Sequence, residues 1–322
     1  MNKKFSFAQC AVVLLACTAI VSVGILLYMH RLTNTLEKET LLALQEFAQQ
    51  DAQHIEMQVS EDLDLLASVA TAISVLPDHT EAGMTPFLKA EKNQNHFKNM
   101  EFATIRGTSQ LDNGEFLDLS QEEHFQKAVN GTPNISERVT DLTDGANILV
   151  AAVPVFQDNQ IIGVLMGTRN TTDLGKTLDM QSFGGAGYSL LVDADGDKVV
   201  ESFHKNAVSG LYNIFDMPDD PDHQLRHQVL KDFKDRKSGT VKYVSQKRGV
   251  LYISYQPLHI NDWYLLSVVP EKHIIKVTQS FLTMLPVLCL LIAIAAFILG
   301  SYMCYAWPIL RQELSNPHKD YL

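Results

Sequence analysis

Cysteine is scarce in this chain of 322 residues: there are four, Cys10, Cys17, Cys289 and Cys304. All four lie inside two long uncharged runs near the ends, Phe5 to Met29 and Val277 to Leu310. The long middle region has none, which excludes disulfides and thiolate metal ligands there. It is large enough to bury one big or two small hydrophobic cores without such staples. Proline and glycine are missing from Leu32 to Leu76. Nothing in that stretch interrupts a helix.

Positive charge is in short supply as well. The chain has 26 basic against 37 acidic residues, and all the acids except Glu313 and Asp320 fall in the middle region. Such a surface repels nucleic acid and anionic lipid headgroups. Signatures of catalysis are also missing: the eleven histidines form no H-E-x-x-H or H-x-H pair, and there is no G-x-S-x-G elbow or kinase motif. "SFGGAGYS", Ser182 to Ser189, lacks the lysine of a phosphate loop and reads as a linker. His223 and His227 stand four apart on an expected helix. They would face one metal there, although a solvated polar face is the commoner origin of such a pair. We expect no enzyme, no resident metal and no cofactor.

The first uncharged run exceeds the ~20 residues a helix needs to cross a bilayer, and the second is longer still. Two membrane spans are expected, at 5–29 and 280–306. A cleaved signal peptide would need a shorter apolar core. "LLAC", Leu14 to Cys17, loosely matches a lipoprotein cleavage site, but a lipoprotein would turn polar soon after the cysteine and this chain does not. Lys3 and Lys4 precede the first span, and positive residues stay on the cytoplasmic side. Residues 1–4 and the tail 311–322 are therefore expected in the cytoplasm, with the middle region outside.

Leu41, Leu44, Ala48, Ala52, Ile55, Val59, Leu63, Leu66, Ala70 and Ile73 recur at steps of three and four, the stripe of a long helix over 32–76. Parts of it would pack on the chain's own domain. Parts would pair with a second copy, where Ala48 and Ala52 permit close approach. "FATIR", Phe102 to Arg106, reads as a strand. "LSQEEHFQKAVNG" has Ser120 three places before Glu123 and ends at Gly131, the pattern of a capped short helix. "NILVAAVPVF" and "QIIGVLMGT" are apolar strands joined by a turn.

"YSLLVDADGDKVV", Tyr188 to Val200, sets three aspartates at alternate positions. A calcium loop would need its glycine two places later and a closing glutamate where His204 stands. Asp195-Gly196 between apolar β-formers reads instead as a hairpin. A helix over Asp222 to Arg236 and strands "TVKYVSQ", "GVLYISYQPL" and "WYLLSVVP" follow. The fold class is α+β, with two antiparallel-sheet modules, 77–185 and 186–275, carried on one long helix.

"DLSQEEHFQKAVNG", "ILVAAVPVFQDNQIIGVLMG", "GYSLLVDADGDKVV" and "SGTVKYVSQKRGVLYISYQPLHINDWYLLSVVPE" occur in an order and spacing that resembles the double Cache sensor domains of bacterial transmembrane receptors. The resemblance covers most of Asp118 to Glu271. It implies two PAS-like modules between membrane spans, the first (77–185) membrane-distal and the second (186–275) membrane-proximal. The distal one would bind an extracellular small molecule. The implied pocket residues are Arg106, Glu122, His124, Phe125, Val150, Ala152, Arg169 and Asn170.

Amino-acid-binding members carry an arginine, an aromatic pair and an aspartate where this chain aligns Glu122, His124-Phe125 and Asn170. That departure argues against an ordinary α-amino acid as ligand. Glu122 would suit a cationic or hydroxylated ligand, or serve only as a first-turn residue favoured by the helix dipole. His124 would pack, or sense pH or a metal. Arg106 or Arg169 would pair with a ligand carboxylate.

The resemblance also implies a homodimer through the long helix and spans. Relatives continue past the second span into a diguanylate cyclase, histidine kinase or methyl-accepting domain. A tail of about a dozen residues is too short for a domain. Signalling through a cytoplasmic or membrane partner, a truncated receptor, or an input fragment of something longer would each account for it. The competing reading is a non-catalytic interaction protein that keeps the fold without a working pocket.

Overall fold

The proline-free stretch forms a single helix, α1 (Phe7–Ser74). The computed structural model describes residues 7–76, 81–110, 116–141, 143–178, 185–207, 212–216, 224–245 and 249–271, with short pieces between 286 and 305. By compactness, Leu41–His273 is one unit; Met1–Thr40 and Ile274–Leu322 make up the other. Most of the run at 280–306 lies outside the described residues, as do most side chains of the first run. Among the described residues no helix is long and apolar enough to cross a membrane.

Within Leu41–His273 the apolar stripe of α1 is consumed by the chain itself. Leu44, Ala48, Ala52, Ile55, Val59, Leu66, Ala70 and Ile73 are all buried. Ala52 lies in one buried cluster with Leu191, Val200 and Leu265 of this same chain. A short connection leads to α2 (Glu81–Gln94), which the sequence hides behind an internal Pro86.

The first sheet has seven antiparallel strands, β1 (Asn99–Thr104), β2 (Thr108–Gln110), β3 (Phe116–Asp118), β4 (Asn134–Ile135), β5 (Val139–Thr140), β6 (Asn147–Gln157) and β7 (Gln160–Asn170). Their spatial order is β3-β2-β1-β7-β6-β4, with β5 also paired to β6. Asp158 and Asn159, both at positive φ, make the two-residue turn between β6 and β7, the geometry that a hairpin of right-twisted strands prefers.

Alternation along the strands separates two faces. Met100, Phe102, Ala151, Val153 and Leu165 pack under α1 and α2, together with Leu66, Ala70, Ile73 and Met84. Ala103, Val150, Ala152 and Met166 face the other way, toward Phe125 and Ala128 of α3 (Glu123–Val129).

After α4 (Thr171–Thr177) comes the second sheet: β8 (Tyr188–Val192), β9 (Lys198–Val200), β10 (Gly239–Ser245), β11 (Gly249–Pro257) and β12 (Tyr264–Pro270), in the order β10-β11-β12-β8-β9. α5 (Gln224–Lys234) covers one face, and α1 covers the other through Ala52, Ile55 and Val59.

The aspartate-rich stretch is the β8–β9 connection. Asp193 Oδ1 accepts the backbone N–H groups of Asp195 and Asp197, and Asn213 Nδ2 donates to Asp197. Gly196 sits at φ +88°, in the left-handed region that favours glycine.

Two local expectations shift. The strand expected over Phe102 to Arg106 ends at Thr104, because the N–H of Gly107 turns back to the Thr104 carbonyl. This leaves Arg106 exposed in the β1–β2 turn. The capping box at Ser120 does not form: the Ser120 N–H is held by Asp118 Oδ1, and the helix begins two residues later with Glu122 at its N-cap.

Candidate ligand-binding site

The face of the first sheet turned toward α3 does not close. Strand pairing lays Asn99, Thr168 and Val150 side by side in one row and Glu101, Met166 and Ala152 in the next. Leu117 and Leu119 wall one side, Val139, Thr140, Asp141 and Thr143 the other, and His124 comes down from α3. They enclose a cavity of about 430 Å³, within the range of small-molecule sites. Glu122, His124 and Val139 also border a second cleft of about 180 Å³, whose far side is Glu137 and Asn261.

The polar groups of the cavity are organised in two places. On the floor, Glu101 accepts hydrogen bonds from Asn99 Nδ2 and from Ser109 Oγ, the latter at 3.2 Å. At the edge, Lys98 Nζ lies 2.5 Å from Asp141 and 2.7 Å from Asp144. Burial works against the Lys98 charge, but the bonds to both aspartates outweigh it and raise its pKa. Burial acts on Asp141 too, and the Lys98 and Thr143 bonds overcome it, holding that carboxyl below its usual range.

His124 is 6 % exposed. Burial pushes its pKa down, against the pull of Glu122 and Glu123. At neutral pH the ring is therefore uncharged.

Of the residues expected at the site, Glu122, His124 and Val150 line this cavity. Phe125 and Ala152 are buried beside it in the packing of α3 on the sheet. Arg106 is exposed in its turn. Arg169 points to the opposite face, where Nε and Nη2 grip both oxygens of Asp62 on α1 at 2.6 Å and Nη1 donates to the His96 carbonyl. Its guanidinium also lies 4.3 Å over the Phe97 ring. It is a clasp between sheet and helix, already paired with a carboxylate of its own. Asn170 is the N-cap of α4 and sits near Asp173.

Sequence reasoning missed Glu101, Asn99, Lys98 and Asp141. The readable signal was the alternation Asn99-Met100-Glu101-Phe102, polar residues on one face and apolar on the other, which extends the strand three residues further back.

Among the described residues of the second module the packing is tighter. On its α5 face a cavity of about 30 Å³ is lined by Tyr188, Leu190, Ile214, Leu225 and Leu251 among others. Beside it Phe233, buried in the same cluster, stacks on Tyr264 with ring centres 3.9 Å apart. Among the described residues no cluster of three or more potential metal ligands occurs.

The Cache domain family model matches residues 32–277. Solved structures share the fold. The ligand-binding domain of the Pseudomonas aeruginosa PAO1 amino acid chemoreceptor PctC, in complex with GABA, is 19% identical, with 71% of this chain and 100% of that one covered and a TM-score of 0.51. That of the Pseudomonas fluorescens chemoreceptor CtaA with L-serine is also 19% identical (73% and 99% covered, TM-score 0.56). The sensory domain of the Campylobacter jejuni chemoreceptor Tlp3 with isoleucine bound is 16% identical (75% and 96% covered, TM-score 0.57). No curated protein sequence matches.

Proposed function

The chain belongs to the Cache domain family, and we propose from that premise that it is a membrane-anchored sensor whose first sheet binds an extracytoplasmic small molecule. The cavity of about 430 Å³ between that sheet and α3 carries the reading. A concave site of that size, with polar groups set into a largely apolar lining, is the usual form of a small-molecule site.

The uncharged runs at 5–29 and 280–306 support anchoring in a bacterial cell membrane, and Lys3 and Lys4 support a cytoplasmic N-terminus. The Cache unit then stands outside, and the long helix carries a ligand-dependent shift toward a signalling partner, in a homodimer. The ligand is not an ordinary α-amino acid, although the solved relatives named above were crystallised with amino acids or GABA. Glu122, His124-Phe125 and Asn170 stand where amino-acid-binding members place an arginine, an aromatic pair and an aspartate, and Arg169 is held by Asp62.

The test is a thermal-shift screen of the full chain against amino acids, amines, carboxylates, sugars and nucleobases. A ligand at a hundred times its dissociation constant adds about 2.7 kcal/mol to folding. That raises the midpoint by several degrees. Val150→Phe, which pushes a ring into the cavity, is expected to abolish the shift with the basal midpoint nearly unchanged. A blank screen would overturn the sensor and leave the interaction protein.

A further inference from the structure

We propose a second binding site, separate from the cavity of the first sheet: the cleft of about 180 Å³ where α3 and β4 meet the β11–β12 connection takes a small guanidinium or amidinium cation. Its own walls are Asn134, Ser136 and Glu137 on one side and Asn261 on the other, none of which lines the larger cavity. The site does not depend on the sensor reading.

Asn134 supplies the first observation. Its Nδ2 donates to the backbone carbonyls of His124 and Thr132, each at 3.0 Å. Carbonyls accept only from N–H groups, so the amide has a single orientation and its remaining atom is the oxygen. That Oδ1 is buried and has no hydrogen-bond partner among the described residues. A buried amide oxygen left in this state is an acceptor in want of a donor.

Glu137 supplies the second. Its Oε2 accepts the Trp263 indole N–H at 2.7 Å, across the boundary between the modules, and no other side chain bonds to the carboxylate. Burial raises its pKa, Asp193 and Glu123 add to the rise, and the Trp263 bond and Lys127 oppose it. The charge is only partly offset by its surroundings, and a cation in the cleft would complete the offset.

The wider balance of charge agrees. Glu122, Glu123 and Glu137 border the cleft against Lys127, and Lys127 is paired with Glu123 at 2.8 Å. Glu122, exposed at the N-cap of α3, makes no side-chain capping bond. His124 is 6 % exposed and also borders the cleft, and its ring makes no hydrogen bond to a described residue. Uncharged, it offers one ring nitrogen as a further acceptor.

Acceptors thus face the cleft from α3, from β4 and from the segment that follows β4. An ammonium is a compact point charge, whereas a guanidinium is flat and spreads its N–H donors along its edges, as acceptors on several sides require. Ile135 and Val139 are the only apolar residues of the lining, so the cation is a small one without a long hydrocarbon chain. Metal ions match less well, because no cluster of three or more metal-ligating side chains occurs among the described residues.

Trp263 reports on the site through its bond to Glu137. The chain has two tryptophans, so Trp307→Phe leaves Trp263 alone. Its emission in that full-length variant is titrated with methylguanidinium and acetamidinium, against tetramethylammonium, calcium and magnesium at constant ionic strength. A saturable change is expected with the first two only. Glu137→Gln keeps an acceptor for Trp263 but removes the charge, and should weaken binding about tenfold or more. Val150→Phe fills the larger cavity and should leave this binding unchanged. If Glu137→Gln does not fold, Glu122→Lys at its exposed position carries the test by setting a fixed cation beside the cleft.

A response shared by tetramethylammonium is charge screening and overturns the site, as does a response to calcium or magnesium alone. Binding that survives Glu137→Gln or Glu122→Lys, or that is lost in Val150→Phe, places the cation elsewhere and overturns the assignment. Silence with every probe, in emission and in isothermal titration, overturns it as well. The sensor reading is decided separately, by the thermal-shift screen.

Discussion

The two modules solve the same packing problem in opposite ways. Each is an antiparallel sheet with α1 on one face and a shorter helix on the other. In the second, α5 sends Phe233 into the sheet, where it stacks on Tyr264 and meets Tyr255 and Phe215 edge-on or tilted. In the first, α3 is seven residues long and offers Phe125 and Ala128 to a surface of alanine, valine and methionine. Large rings close one face, and small side chains leave the other open. What separates a filled module from an open one here is side-chain volume on one face, with the backbone plan unchanged.

The strongest way to break that contrast is Phe233→Ala. The ring is 1 % exposed, and its loss costs the transfer energy of the side chain plus a cavity, about 3–5 kcal/mol. For a domain of this size the melting midpoint should fall by roughly 10 °C. A much smaller fall, seen by differential scanning calorimetry, would mean that the rings around Phe233 collapse into its place and that the second module is less rigidly filled than its geometry indicates.

A smaller effect is expected where the first sheet meets α1. Arg169→Ala removes a two-pronged pair with Asp62, a carbonyl contact and the Phe97 stacking. The two side chains are 30% and 15% exposed, so solvent screens the pair and the cost is about 2 kcal/mol, between surface and buried pairs. Ligand affinity should change far less than stability, since Arg169 is on the face away from the cavity. Equal losses in denaturant melts and titrations would show that the clasp shapes the pocket.

The frame of the molecule was legible because it follows from strong periodicities. The α1 stripe, the β6–β7 hairpin and the three last strands each rest on runs of apolar residues with unambiguous spacing. What failed was decided by single competing bonds or by tertiary context. Asp118 took the Ser120 N–H and moved the start of α3. α2 forms around Pro86 and Gly83, residues that ordinarily argue against a helix, because Met84 and Leu88 are buried against the first sheet.

The site was only half legible for a related reason. His124, Glu122 and Val150 came from a motif that the family carries in sequence order, whereas Glu101, Lys98 and Asp141 meet only when β1 is laid beside β7 and the 141–144 turn folds back over it. Arg169 shows the reverse failure. It follows Thr168 directly, and one step along a strand puts it on the other face.

The smallest effect compares the two modules by pH. In the first, burial lowers the His124 pKa below its ordinary 6.5. The unfolded chain therefore takes up the proton at a higher pH than the folded chain does. Stability from this group is complete above about 6.5 and is lost as pH falls toward the folded value. In the second, burial and then the Asp232 hydrogen bond raise the Tyr255 hydroxyl above its ordinary 10.0. There the unfolded chain loses its proton first, and stability is lost as pH rises past 10.0.

Acid should thus loosen the open module and alkali the filled one. Hydrogen exchange resolved by segment at pH 5.5, 7.5 and 10.5 separates them: faster exchange in α3 and β6 at the acid end, and in α5 and β11 at the alkaline end. His124→Gln should flatten only the acid limb. If it leaves that limb unchanged, the ring is more hydrated than its burial indicates, and the open face of the first sheet is wetter than a ligand pocket should be.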